Sequence, residues 1–270
     1  MTTAIAHGAA GGRTGLATST VTVTRRALLR YVRTPQLIVL ATVQMSLFFL
    51  IYRYMFGGAI QIAGMSYVDF LVPGFIATGV LFTGIGTATA MAEDLEQGFV
   101  DRLRSLPIPR SSVLIARAAA DTTILAWSSA FTAAVAFAVG FTLHGSALEG
   151  LAAFGLVVLF GFAFEWVFIT LGLFAGNAQA AQGMGMIVFP FAFISSAYVP
   201  VSSMPSWLRV FAEHQPLTYM VDAVRALTLG PHAQALLGHP ASYFVGRSLV
   251  WTVAIIAVAL PLAVVKYRRG

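Results

Sequence analysis

Among 270 residues there is no cysteine, a single lysine, and only 10 % charged side chains. The missing cysteines exclude disulfides, thiolate metal sites and a cysteine nucleophile. The one lysine, Lys266, sits at the C-terminal end. No loop can therefore end in the Gly-Lys-Ser/Thr that cradles a phosphate, and ATP hydrolysis by that route is excluded. A soluble domain carries roughly 25 % charged residues, and a surface so poor in charge cannot be kept in water. What fills the chain instead is apolar: 58 % of residues are hydrophobic, in runs that reach the about 20 residues needed to cross a ~30 Å hydrocarbon core. The formal charge of +6 suits cytoplasmic loops and anionic headgroups better than nucleic acid. The reading is an all-α, multi-pass membrane protein.

Residues 1–17 are rich in Ala, Gly and Thr and hold no apolar run. They read as a disordered tail, since a cleavable signal needs an apolar core of about 7–15 residues. Over residues 18–35, Arg26, Arg30 and Arg33 recur at helical spacing around Leu28, Leu29 and Val32 and stop at Pro35. This predicts an amphipathic helix lying in the membrane interface. The remainder, 36–270, divides into six expected spans: 36–56, 68–92, 114–141, 149–173, 180–199 and 243–265. Twelve of the sixteen basic residues then fall on one side, which places both termini in the cytoplasm.

Three connections carry information. After the second span, EDLEQGFVDRLRSLPIPRSS is long and charged. Gly98 breaks it, FVDRLRSL predicts two helical turns, Pro107 and Pro109 end them, and Ser111 or Ser112 is expected to cap the third span. After the fourth span, GNAQAAQG is short and uncharged. Before the last span, SWLRVFAEHQ and LTYMVDAVRALTL show helical amphipathic spacing on either side of Pro216. They predict a re-entrant helical hairpin on the outer side, because irregular backbone at membrane depth must lie against protein or a wet cavity.

Nothing in the chain has a catalytic pattern. The histidines (His7, His144, His214, His232, His239) are scattered through the tail and outer connections, without metal-ligand spacing. A carboxylate inside a span is a functional hypothesis because burying charge there is expensive. Glu165, in the middle of the fourth span, can be an interhelix hydrogen-bonding group, the lining of a polar path, or a proton-coupling group. Asp121 follows Arg117 by four residues, a pair that can be local. Phe160, Phe162, Phe164, Trp166 and Phe168 alternate with period two and so spread around a helix rather than forming one stripe. Gly79 with Thr83, and Gly172 with Gly176, permit close helix contacts. Tyr219, Asp222 and Arg225, spaced by three, share a helix face, and pairing of Asp222 with Arg225 would lower the cost of both charges at depth.

Four stretches in order resemble the permease subunits of ABC exporters of the ABC-2 type, especially their daunorubicin-resistance branch: YVDFLVPGFIATGVLF, EDLEQGFVDRLRSLPIPRSSVLIAR, AAQGMGMIVFPFAFISSAYVPVSSMPSWLR and QPLTYMVDAVRALTLG. The chain departs from the family habit at Ser195-Ser196, where Ser-Gly is usual, and at Glu93-Asp94, where Arg-Glu is commoner. The resemblance implies a non-enzymatic permease in the cytoplasmic (inner) membrane that binds no cofactor. ATP and Mg would sit on a separate cytoplasmic ABC ATPase dimer, and the permease would pair with a second copy or a sister permease among membrane lipids, with no nucleic acid. Glu93, Glu96, Gly98, Asp101, Arg102, Leu103, Leu106 and Pro107 would form the ATPase-coupling segment. Pro216, Tyr219, Asp222 and Arg225 would form the outer gate, with Glu165, Ser195 and Ser196 as candidates for the substrate path. An amphipathic drug or lipid-like substrate would move outward. The alternatives are export of a lipid-linked polysaccharide, which scattered rings argue against, and a proton-driven secondary transporter, which would need an internal repeat and several buried carboxylates.

Overall fold

The computed structural model describes residues 16–33, 35–60, 62, 64–98 and 110–269. Their architecture is helical: α1 (Leu16–Arg33), α2 (Pro35–Phe56), α3 (Tyr67–Glu96), α4 (Arg110–Ala138), α5 (Ala147–Ala175), α6 (Ala178–Met186), α7 (Val188–Phe193), α8 (Ser206–His214), α9 (Pro216–Leu229), α10 (Pro231–Leu237) and α11 (Ala241–Arg269). The tail expected over 1–17 falls almost wholly outside the described residues. So does the helix expected after Gly98, with Asp101, Arg102, Leu103, Leu106 and Pro107.

The helices are ordered for lipid rather than water. On α2, Thr42, Ser46 and Phe49 are buried while Val43, Leu47, Tyr54 and Met55 point outward. On α11, Ser248, Thr252, Ala259 and Ala263 are inside and Val250, Val253, Val258 and Leu262 outside. Small and hydroxyl-bearing residues face protein because lipid gives apolar side chains no reason to hide. Among the described residues, α3, α5 and Ala241–Arg268 of α11 are long and apolar enough to cross a membrane. This is an integral membrane protein.

α3 is the axis of the bundle. Its apolar stretch is 83 % buried, against 22 % for that of α11, and α4, α5, α6 and α9 pack around it. α5 also packs along α11, and α1 lies against α4. Gly172 of α5 faces Ala88 of α3, and Gly79 faces Met45 of α2, close approaches of the kind expected, whereas Gly176 has open space beside it and ends α5 in the left-handed conformation.

Three expectations are corrected. The stretch 180–199 is not one continuous helix: α6 ends at Met186, α7 begins at Val188, and turns follow to 200. Pro190 is the cause, since it lacks the N–H that would bond the Met186 carbonyl and its ring crowds that oxygen. Ser111 and Ser112 lie inside the first turn of α4, which starts at Arg110, and so do not cap it. The histidines are not all apart: the rings of His144 and His232 lie 5.0 Å from each other.

Candidate functional site

Polar side chains gather at the two ends of α3. At its N-terminal end, Ser66 caps the helix and donates to Asp69 Oδ2 at 2.7 Å. Asp69 Oδ1 accepts from the Thr142 N–H at 2.9 Å, tying the α4–α5 connection to α3. One turn on, Pro73 removes the N–H that would bond the Asp69 carbonyl and loosens this part of the backbone ladder. The Phe70 carbonyl accepts from Arg225 Nη2 at 3.1 Å.

Arg225 is 1 % exposed, and its two terminal nitrogens are held by three different segments. Nη1 donates to Asp222 Oδ1 at 2.8 Å, one turn earlier on α9. Nη2 also reaches the Ser196 carbonyl at 2.9 Å. The guanidinium lies 3.9 Å from the centre of the Phe70 ring, a cation–π contact. Ser196 Oγ donates to Asp222 Oδ1 at 2.7 Å. A buried, permanently charged group persists only when it is paired. The cluster therefore clamps α3, the 194–198 turn and α9 into one body.

The turn is built to fit. Ser195 Oγ donates to the Ala192 carbonyl and accepts from the Ala197 N–H, and the Gln215 amide donates to the Ile194 carbonyl. Tyr198 shares a 3.0 Å hydrogen bond with Thr78 and stacks on Tyr52 and Phe193. Gly74 makes the approach possible, because a Cβ there would collide with the backbone of Ala197. Pro216 is the first residue of α9, where its missing N–H costs nothing. Tyr219 meets Tyr243 edge-on at 6.5 Å. Thus Ser195, Ser196, Pro216, Tyr219, Asp222 and Arg225, read from sequence as two groups, occupy one region.

The second gathering lies at the C-terminal end of α3, with Asp94 about 36 Å from Phe70 along the helix by its 1.5 Å rise per residue. Arg117 of α4 donates through Nη1 to Asp94 Oδ2 at 2.6 Å and through Nε to Asp121 Oδ2 at 2.9 Å. Thr87 of α3 donates to the same Asp121 oxygen at 3.0 Å. Glu165 of α5 is 2 % exposed and close enough to Asp121, Thr87 and Arg117 to feel them electrostatically, while its Oε2 has no hydrogen-bond partner among the described residues. The Arg117–Asp121 pair is therefore not local but the middle of a bridge across three helices. Glu165 belongs to this bridge, remote from Ser195 and Ser196, and it is not an isolated carboxylate. Beside it, Glu96 Oε2 accepts from the Ala178 N–H and ties the start of α6 to α3. Glu93 is exposed. Gly98, with φ +64°, leaves α3 in the left-handed conformation that favours glycine.

Sequence reading missed Asp69, although Ser66-x-x-Asp69 ahead of an apolar run is a helix-start signature. It also missed Asp94 with Arg117. These two lie 23 residues apart on different helices, and no short-range spacing pairs them.

A model of the ABC-2 type transporter family matches residues 18–229. The chain belongs to this family. Among curated proteins, the ABC-2 chain is 26 % identical to the daunorubicin resistance ABC transporter permease protein DrrB1 of Streptomyces coeruleorubidus, over 99 % of this chain and 92 % of that one. It is 28 % identical to the probable doxorubicin resistance ABC transporter permease protein DrrC of Mycobacterium tuberculosis, over 92 % and 87 %. It is 24 % identical to the probable multidrug ABC transporter permease YbhR of Escherichia coli, over 61 % and 45 %. An ABC-2 assignment makes the chain a membrane permease of an ABC transporter, a transport subunit rather than a catalytic one.

Proposed function

We propose that this permease exports an amphipathic drug or lipid-like substrate across the cytoplasmic membrane, driven by ATP bound with Mg on a separate ABC ATPase dimer. In this reading the chain has six spans, the fifth of them the broken 180–199 segment, both termini lie in the cytoplasm, and α1 lies in the inner interface. Residues 98–107, preceded by Glu93 and Glu96, seat in the ATPase. α8 and α9 form the outer re-entrant hairpin, and a second copy or a sister permease completes the pathway. One observation carries this reading: a single buried helix, α3, is clamped at one end to the Asp222–Arg225 cluster and at the other to the Asp94–Arg117–Asp121 bridge. A displacement of the coupling segment reaches the outer cluster along that rod. The names of the relatives support a drug-like cargo.

The purified chain is expected to hydrolyse no Mg-ATP until the ATPase subunit is added. An Asp101→Ala, Arg102→Ala double substitution is expected to leave the complex assembled while removing substrate-stimulated turnover. Losing a desolvated charged contact costs about 2–5 kcal/mol. Turnover by the chain alone, or wild-type stimulation in the double variant, contradicts the proposal.

A further inference from the structure

A cavity of about 450 Å³ opens between α8, α9, α10 and the start of α11, with Phe70 of α3, Ser196 and the 200–202 segment completing its wall. Two guanidinium groups stand in its wall, both already fixed. Arg225 is held as described, and Arg209 Nη2 donates to the carbonyls of Ser202 and Met204. Both keep a buried Nε without a partner among the described residues, and so does the hydroxyl of Thr218, which is 3 % exposed and lines the same cavity. Buried donors left unpaired are costly. An unpartnered Nε–H on each of two fixed guanidinium groups, with a hydroxyl on the same wall, is a donor set that suits an oxyanion.

The acidic neighbours set the charge of that oxyanion. Asp222 and Glu213 balance Arg225 and Arg209 formally, His214 and His239 also line the wall, and Arg247 lies 5.4 Å above the Tyr243 ring. Such a wall accepts one negative charge more readily than two, which favours a phosphodiester over a free phosphate dianion. The rim favours an amphiphile. α8 turns Arg209 and Glu213 to the cavity while Trp207, Val210 and Phe211 stand 74 %, 63 % and 44 % exposed on its other face, so the helix beside the pocket is an amphipathic one of the kind that lies among acyl chains.

We infer that this cavity binds the phosphodiester headgroup of an amphiphile, held by Arg209, Thr218 and Arg225. The inference rests on reading α8–α9 as the outward end of the permease. Its test needs neither ATP nor transport, so failure of the export assay and failure of binding are separate results. The full chain in an uncharged detergent is titrated with short-chain phosphatidylglycerol, with the matching diacylglycerol and with inorganic phosphate, and melting temperature and native mass are followed. Phosphatidylglycerol is expected to bind and raise the melting temperature. Diacylglycerol is expected not to bind, and inorganic phosphate to compete only weakly. Arg209→Gln and Thr218→Val, both outside the Asp222–Arg225 pair, are expected to weaken the lipid about tenfold each. Arg209→Lys, which keeps the charge and loses the fork, is expected to fall between wild type and Arg209→Gln and guards against a folding failure. Equal binding of diacylglycerol, inorganic phosphate binding as tightly as the lipid, or lipid affinity unchanged in the variants overturns the inference.

Discussion

Asp222→Ala is expected to lower the stability of the permease by about 3–5 kcal/mol, the cost of removing one partner from a buried ion pair. Arg225, at 1 % exposure, would keep its contacts to Phe70 and Ser196 but lose the carboxylate that neutralises it, and the Ser196 hydroxyl would lose its acceptor. Asp222→Asn keeps an oxygen for Ser196 and is expected to be milder. Size-exclusion melting curves in detergent measure both variants. A surface helix resting among headgroups would tolerate either change, so an Asp222→Ala melting temperature equal to wild type would remove the clamp.

Arg117→Gln is the second large effect. It takes away the cation that Asp94 and Asp121 share and leaves Glu165 facing Asp121 with less compensation. The Arg117 side chain is 20 % exposed, so water screens part of the loss, and about 1.5–3 kcal/mol is expected, the range for hydrogen bonds to charged groups. The larger consequence is on coupling. With the α3–α4 bridge cut, ATP hydrolysis by the assembled complex should persist while its stimulation by substrate falls several-fold. A double-substitution cycle with Asp94→Asn checks the pairing directly: about 0.5–3 kcal/mol of interaction energy is expected, and strict additivity would show that the two side chains act apart.

Most of the helix content and the membrane setting is legible in sequence because lipid permits little else: each backbone polar group must be satisfied within its own helix. α2, α3, α4, α5 and α11 lie close to the spans expected from apolar length. The break in the fifth is legible only when Pro190 is weighed against the run around it, since hydropathy does not register a missing N–H. The Asp222–Arg225 pair is a local feature, three residues apart, and spacing finds it. Its other partners, the Phe70 and Ser196 carbonyls and the Ser196 hydroxyl, come from segments 155 and 26–29 residues away, and no periodicity encodes them. The same holds for Glu165. Sequence identifies the buried carboxylate, while its neighbours Thr87 and Asp121 are fixed by how α3, α4 and α5 pack.

The central claim is that ATP binding on a partner moves the outer cluster through α3. The chain has no cysteine, so one introduced thiol reports cleanly. Leu237→Cys lines the outer cavity without touching the Asp222–Arg225 pair. With the permease and its ATPase reconstituted in vesicles, an impermeant thiol reagent added outside should label this position, and Mg-ATP should change the labelling rate several-fold. An unchanged rate while the ATPase is turning over, or labelling only from the cytoplasmic side, would contradict the account.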